Sequence, residues 1–261
     1  MGVFKINIFL NVISLLSSLL LNAQTDTVKS QIYKWYNVEI NNETGTGKML
    51  LLEGSTTDLK NLQIYAEALM PGKSITVDNL KNNEETLIII KEGNVNFKLN
   101  EEEKILIQGS VALVFPGDKY FVKNTGAANA AYYVFKYKSK SPPDSERGNK
   151  DGGSFTIDWN SLEFHPHGKG GIRNYFERAT PMLKRTEMHV TTLNPGIKSH
   201  EPHTHRAAEI VLMISGNTQM QIGETFYDGS DGDLYFLGSN VPHAIENTGN
   251  ESCMYFAFQF E

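Results

Sequence analysis

Three histidines and a glutamate stand at spacings that suit a metal ion. The segment Gly196-Ile-Lys-Ser-His-Glu-Pro-His203-Thr-His205-Arg-Ala-Ala-Glu209-Ile-Val-Leu-Met-Ile-Ser-Gly216 places two imidazoles and a carboxylate at odd positions. Strand side chains alternate between faces, so His203, His205 and Glu209 share one face if the chain runs there as a strand without a bulge. Val211 and Met213 continue that parity and give the cluster an apolar floor that excludes water and strengthens local electrostatics. A second segment, Gly232-Asp-Leu-Tyr-Phe-Leu-Gly238-Ser-Asn240-Val-Pro242-His243, brings His243 on a neighbouring strand as a fourth ligand. Three neutral imidazoles and one carboxylate suit one divalent transition metal (Mn, Fe, Co, Ni, Cu or Zn) better than Ca or Mg. An octahedral ion held this way keeps two positions open for substrate oxygens or a bound water. The plainer alternative is a set of surface or structural histidines close only in sequence.

Weaker signals surround this set. As a strand, Lys184 to Thr192 puts Arg185, Glu187, His189 and Thr191 on one side and Met188 and Val190 on the other. If the polar side faces inward, Arg185 clamps a substrate carboxylate while Glu187 or His189 exchanges protons near the metal; if it faces solvent, Met188 and Val190 fill the core. His165-Pro-His167 followed by Gly168-Lys-Gly-Gly171 has no strand-to-helix context for a phosphate loop and no further ligands. It reads as a connection. Tyr235, Phe256 and Phe258 read as core.

The elements that must position these groups come from an internal repeat. Sliding the sequence along itself superimposes Gly93 on Gly216, Gly109 on Gly232, and Asn124-Thr-Gly126 on Asn247-Thr-Gly249. The apolar runs follow, Leu87-Ile-Ile-Ile90 over Ile210-Val-Leu-Met213 and Tyr132-Tyr-Val-Phe135 over Tyr255-Phe-Ala-Phe258. Each half shows short β-branched and aromatic runs divided by Gly, Asn and Asp turns, with no helical period, which predicts an all-β fold of two tandem barrels or jelly rolls. The metal residues have no counterparts in the first half, where Leu80, Asn82, Thr86 and Tyr120 replace His203, His205, Glu209 and His243. Glu84 and Glu85 read as a solvated turn. The expected division is a signal peptide over 1–23, an N-terminal domain without ligands over 24–138, a linker over 139–154 and a metal-binding domain over 155–261. Lys5, the apolar stretch from Ile6 to Leu21 and the small or polar residues ending near Ala23 form the export signal. That stretch, broken by Asn7 and Asn11, is shorter than the roughly 20 apolar residues of a membrane span.

Both metal-bearing segments resemble the two defining motifs of the cupin superfamily. The first matches at every signature position; in the second, Gly238 and Asn240 stand where Pro and Gly are commonest. The resemblance implies a chain of two cupin domains (a bicupin), each a double-stranded β-helix barrel, with the C-terminal one holding an ion through His203, His205, Glu209 and His243. It also implies a homodimer.

At 261 residues, with 40 % apolar and 21 % charged residues, the chain reads as an ordinary folded protein. A formal charge of -6 argues against nucleic acid as a partner. Cys253 is the one thiol, so no intrachain disulfide forms despite a secreted or periplasmic destination. These signs, with the resemblance, lead to an exported metal-dependent enzyme acting on a small oxygen-rich substrate such as a sugar-derived acid, by isomerisation, elimination or ring opening. Other readings are an oxygen-using dioxygenase, a decarboxylase, or a non-catalytic sugar-binding module. A resemblance in layout to ureidoglycine aminohydrolase is set against a different ligand order, since that family places Glu before its His and ends with Gln.

Overall fold

The computed structural model describes residues 26–78 and 83–261. The expected signal peptide, together with Leu80 and Asn82, lies outside these residues. Each half folds as two antiparallel sheets laid face to face. In the C-terminal half, a seven-stranded sheet includes Ala208–Ser215 flanked by Leu234–Leu237 and Cys253–Phe260, then Thr186–Leu193, Gly170–Arg178 and His165–His167. A three-stranded sheet of Thr225–Gly229, Thr218–Ile222 and His243–Asn247 closes that barrel. The N-terminal half repeats the plan with seven strands around Glu85–Glu92 and Ala130–Ser139, closed by four around Tyr120–Asn124.

The two large sheets pack back to back, which explains why their central strands are apolar without alternation. Ile88, Ile90 and Val134 point into the N-terminal barrel, and Val211, Met213 and Tyr255 into the C-terminal one. The intervening Leu87, Ile89, Phe135, Ile210, Leu212, Phe256 and Phe258 form one shared core between the barrels. Both faces of each central strand are covered, so a continuous apolar run is what burial demands.

The repeat survives at the level of single atoms. Asn124 and Asn247 are both buried. Asn124 donates from Nδ2 to the carbonyls of Leu69 and Ala128 at 2.9 and 2.8 Å, and accepts from the Gly126 amide at 2.9 Å. Asn247 makes the same three bonds, at the same distances, to Leu193, Glu251 and Gly249. Gly93 and Gly216 share a left-handed φ of 82° and 86°. A Cβ there would lie 2.8 Å from the Ala130 Cβ and 2.7 Å from the Cys253 Cβ, so both conformation and space require glycine.

The expected domain boundaries are crossed by an exchange of edge strands. Gln31–Tyr33, from the first half, pairs with Leu234–Leu237 of the C-terminal barrel. Phe155–Ile157, from the second, pairs with Val111–Val114 of the N-terminal one. The two tryptophans follow these strands: Trp35 packs where a Cβ on Gly232 would fall, and Trp159 does so at Gly109. The expected linker is likewise ordered. It forms the helix Ser145–Lys150, capped by Asp144, with the Arg147 guanidinium donating to the carbonyls of Thr180 and Pro181 and Arg178 donating back to those of Gly148 and Gly153.

The solvated turn expected at Glu84 and Glu85 is also corrected. Glu84 pairs with Lys136 and Lys138, each at 3.5 Å, whereas Glu85 is wholly buried. It accepts from the Tyr137 hydroxyl at 2.5 Å and the Met182 amide at 3.3 Å. Burial pushes its carboxyl up to about 7 against the pull of these bonds and of Arg178.

Candidate metal centre

His203, His205 and His243 converge at the mouth of the C-terminal barrel, with a ring nitrogen from each lying within 4.8 Å of the others. They do so by a route the alternation argument missed. The strand begins at Ala208, so of the three candidate ligands in the first segment Glu209 alone sits in it, and His203 and His205 lie in the preceding loop. His243 opens His243–Asn247 in the smaller, facing sheet rather than on a strand beside Glu209. Backbone bonds join the two parts: His203 and His243 exchange amide and carbonyl at 3.2 and 3.1 Å, and the Asn240 amide donates to the His205 carbonyl at 2.8 Å.

The hydrogen bonds around the rings fix which nitrogen each offers. Nδ1 of His205 donates to the Ala207 carbonyl, and Nδ1 of His243 to the Val241 carbonyl, both at 2.8 Å. A carbonyl can only accept, so each ring turns Nε2 toward the cluster. Glu209 Oε2 lies 3.0 Å from His205 Nε2 and 3.3 Å from His243 Nε2. Burial alone would raise the Glu209 carboxyl, but the two histidines outweigh it and hold it at about 2. The Glu209 carboxylate in turn raises the proton affinity of His205. Burial, reinforced by the neighbouring rings, lowers that of His203.

Two features test whether these residues fit a metal. His243 Nε2 is buried and makes no hydrogen bond, a cost that a coordinate bond removes. The donor set of three aimed imidazoles and an ionised carboxylate also matches a divalent transition metal. All four residues would serve as ligands.

Beside them lies a cavity of about 180 Å³, lined by His189, Thr191, Ser199, His200, Tyr255 and Gln259 as well as His203, Glu209 and His243. Val211, Met220 and Ile245 supply apolar wall; Met213 lies in the barrel core beneath. The strand Thr186–Leu193 therefore presents His189 and Thr191 inward, while Met188 and Val190 join the shared core. His189 Nδ1 donates to Glu187 Oε1 at 2.6 Å. Arg185 does not line the cavity: its Nε donates to Glu177 at 2.9 Å, and its Nη1 lies 3.4 Å from the Gln259 oxygen. Its charge is taken up by the acid on the adjacent strand.

His200, Ser199, Tyr255 and Gln259 were not singled out from the sequence. His200 stands edge-on to His203, ring centres 4.1 Å apart, and Lys169 reaches from the hairpin tip to the Ser199 carbonyl at 2.5 Å. His165 and His167 sit on an exposed edge strand, away from the cluster. In the N-terminal barrel, Tyr120 occupies the place of His243 and stacks on Phe97. Tyr132 donates to Glu67 at 2.7 Å, and Thr86, in the place of Glu209, is buried. Among the described residues no second group of potential metal ligands gathers.

Comparison with known proteins agrees with this geometry. Residues 189–258 match the family model described as Cupin domain. No curated protein matches the sequence. Among solved structures, AerE from Microcystis aeruginosa is 10 % identical, with 89 % of this chain and 100 % of that chain covered and a TM-score of 0.65. The protein Ylba from E. coli is 15 % identical over 93 % and 96 %, with a TM-score of 0.68. An oxalate decarboxylase from Lactobacillus farciminis, in a formate complex, is 13 % identical over 90 % and 87 %, with a TM-score of 0.65. At these identities the likeness is one of fold. The family match falls on the barrel that holds the histidine cluster, and residues 189–258 of the chain are a cupin domain.

Proposed function

We propose that this protein is an exported metal-dependent cupin enzyme that isomerises, opens or eliminates from a small oxygen-rich acid, a sugar-derived acid being the best fit. The observation that supports this reading is His189, which is held by Glu187 and lines the same cavity as His203, Glu209 and His243. A divalent ion bound there supplies Lewis acidity toward a carboxylate, carbonyl or vicinal hydroxyls. Glu187 holds His189 with Nδ1 protonated, leaving Nε2 to take a proton from a molecule in the cavity and return it. The Tyr255 hydroxyl, beside Ser199 and Thr191 in the cavity lining, offers a polar edge for substrate hydroxyls. A volume of about 180 Å³, roughly six waters' worth, suits a compact metabolite rather than a polymer. Lys169, beside Ser199 at the mouth, favours an anion.

Metal analysis of purified protein beside His203→Ala and His243→Ala is the first test, with about one ion per chain expected in the parent and none in either variant. An anaerobic screen of sugar acids should then give turnover that His189→Ala abolishes while metal content stays unchanged. Metal binding without turnover on any such acid, or a strict need for oxygen, would refute this reading in favour of a binding module or an oxygen-using cupin.

A further inference from the structure

The residue after the ligand His205 points the opposite way. In the loop that carries both residues, His205 is turned into the site and Arg206 reaches out of its own barrel. Its guanidinium grips Asp58 of the N-terminal barrel with two parallel bonds, Nη1 to Oδ2 at 2.8 Å and Nη2 to Oδ1 at 2.7 Å. Asp58 is presented by a tight turn. The Leu59 amide donates to the Thr56 hydroxyl at 3.0 Å, the Thr56 amide to the Leu59 carbonyl at 2.9 Å, and the Lys140 amide to the carbonyl of Asp58 itself at 2.9 Å. The backbone that carries the carboxylate is thus held by its own turn, and a bidentate pair defines orientation as well as distance.

On its inner side, the loop carrying His203 and His205 is tied by the bonds to His243 and Asn240 already described. On its outer side, the Asp58 pair restrains Arg206. We infer that Asp58 and Arg206 are positioning residues for the metal centre: the barrel without ligands sets the rotation of the ligand loop in the barrel that has them. This rests on the metal-binding reading of the cluster.

The test is a titration of Co(II) against a competing chelator in full-length protein, read by affinity and by the visible absorption of bound cobalt, whose band pattern reports ligand geometry. Arg206 is half exposed, and exposed pairs contribute up to about fivefold in an equilibrium constant. Asp58→Asn and Arg206→Ala should each weaken cobalt by about fivefold and shift its bands, with the double variant no worse than either single one. Asp58→Arg combined with Arg206→Asp should recover most of the loss. Thermal unfolding of the metal-free variants controls for damage to the fold. Parental affinity and spectrum in both single variants, or a double variant in which the two losses add, overturns the inference. If the parent itself takes up no cobalt, the metal reading fails first and this inference with it, so the two failures are told apart.

Discussion

Glu85 gives the sharpest test of how the two barrels hold together. It lies at the start of Glu85–Glu92 and bonds Tyr137 of its own half and Met182 of the other, without access to water. Its carboxyl is raised from 4.5 to about 7. At roughly 1.4 kcal/mol per pH unit, ionising it inside costs about 3 kcal/mol relative to the unfolded chain. Because the folded value is the higher one, the fold binds the extra proton. The contribution to stability is therefore complete below about pH 4.5 and is lost as pH rises through about 7. Glu85→Gln keeps an acceptor for Tyr137 and Met182 but cannot ionise. Urea unfolding of both proteins in chelator, at pH 5.5 and 8.5, isolates this group, because every other titration is common to the two. The parent should lose about 2 kcal/mol more than the variant between these pH values. Parallel losses would mean that the carboxyl ionises as freely as an exposed one, and the account of this buried contact would be wrong.

Two further outcomes follow from the same geometry. Protons compete with the ion for His205, whose proton affinity the Glu209 carboxylate raises, so cobalt affinity should fall by up to about tenfold per pH unit once the solution drops below the folded pKa of that ring. Chelator competition at pH 5.5 and 7.5 measures this, and equal affinities would separate His205 from the ion. Replacing Asn247 by Ala strips partners from two carbonyls and one amide, at a cost of about 3 kcal/mol. Asn124→Ala should cost the same, and markedly unequal losses in urea unfolding would break the equivalence of the two turns.

The repeat and the barrels could be read from residue types because each rests on a local requirement. Gly216 is needed for a left-handed turn against Cys253, Asn247 for closing a turn on buried carbonyls, and the apolar runs for strands covered on both faces. What stayed hidden depends on partners distant in sequence. The exchanged strands Gln31–Tyr33 and Phe155–Ile157 are only three residues long, too short for a period to show which barrel they join. His200 falls at an even position, off the face assigned to His203 by strand alternation, and enters the cavity only because residues 200–207 run as a loop. Glu85 looks like its neighbour Glu84 until Tyr137 and Met182 close over it.

The two barrels share a frame but fill it in opposite ways, and the ladder pairings show how. Val134 opposes Tyr65 where Ala257 opposes His189, and Tyr132 opposes Glu67 where Tyr255 opposes Thr191. With Tyr120 in the place of His243, the N-terminal interior fills with aromatic rings around one carboxyl, where the C-terminal interior keeps a cavity. Packed rings stabilise a barrel outright, whereas a cavity ringed by imidazoles forgoes packing and leaves His243 Nε2 without a hydrogen bond. The shared core and the exchanged strands bind the filled barrel to the open one.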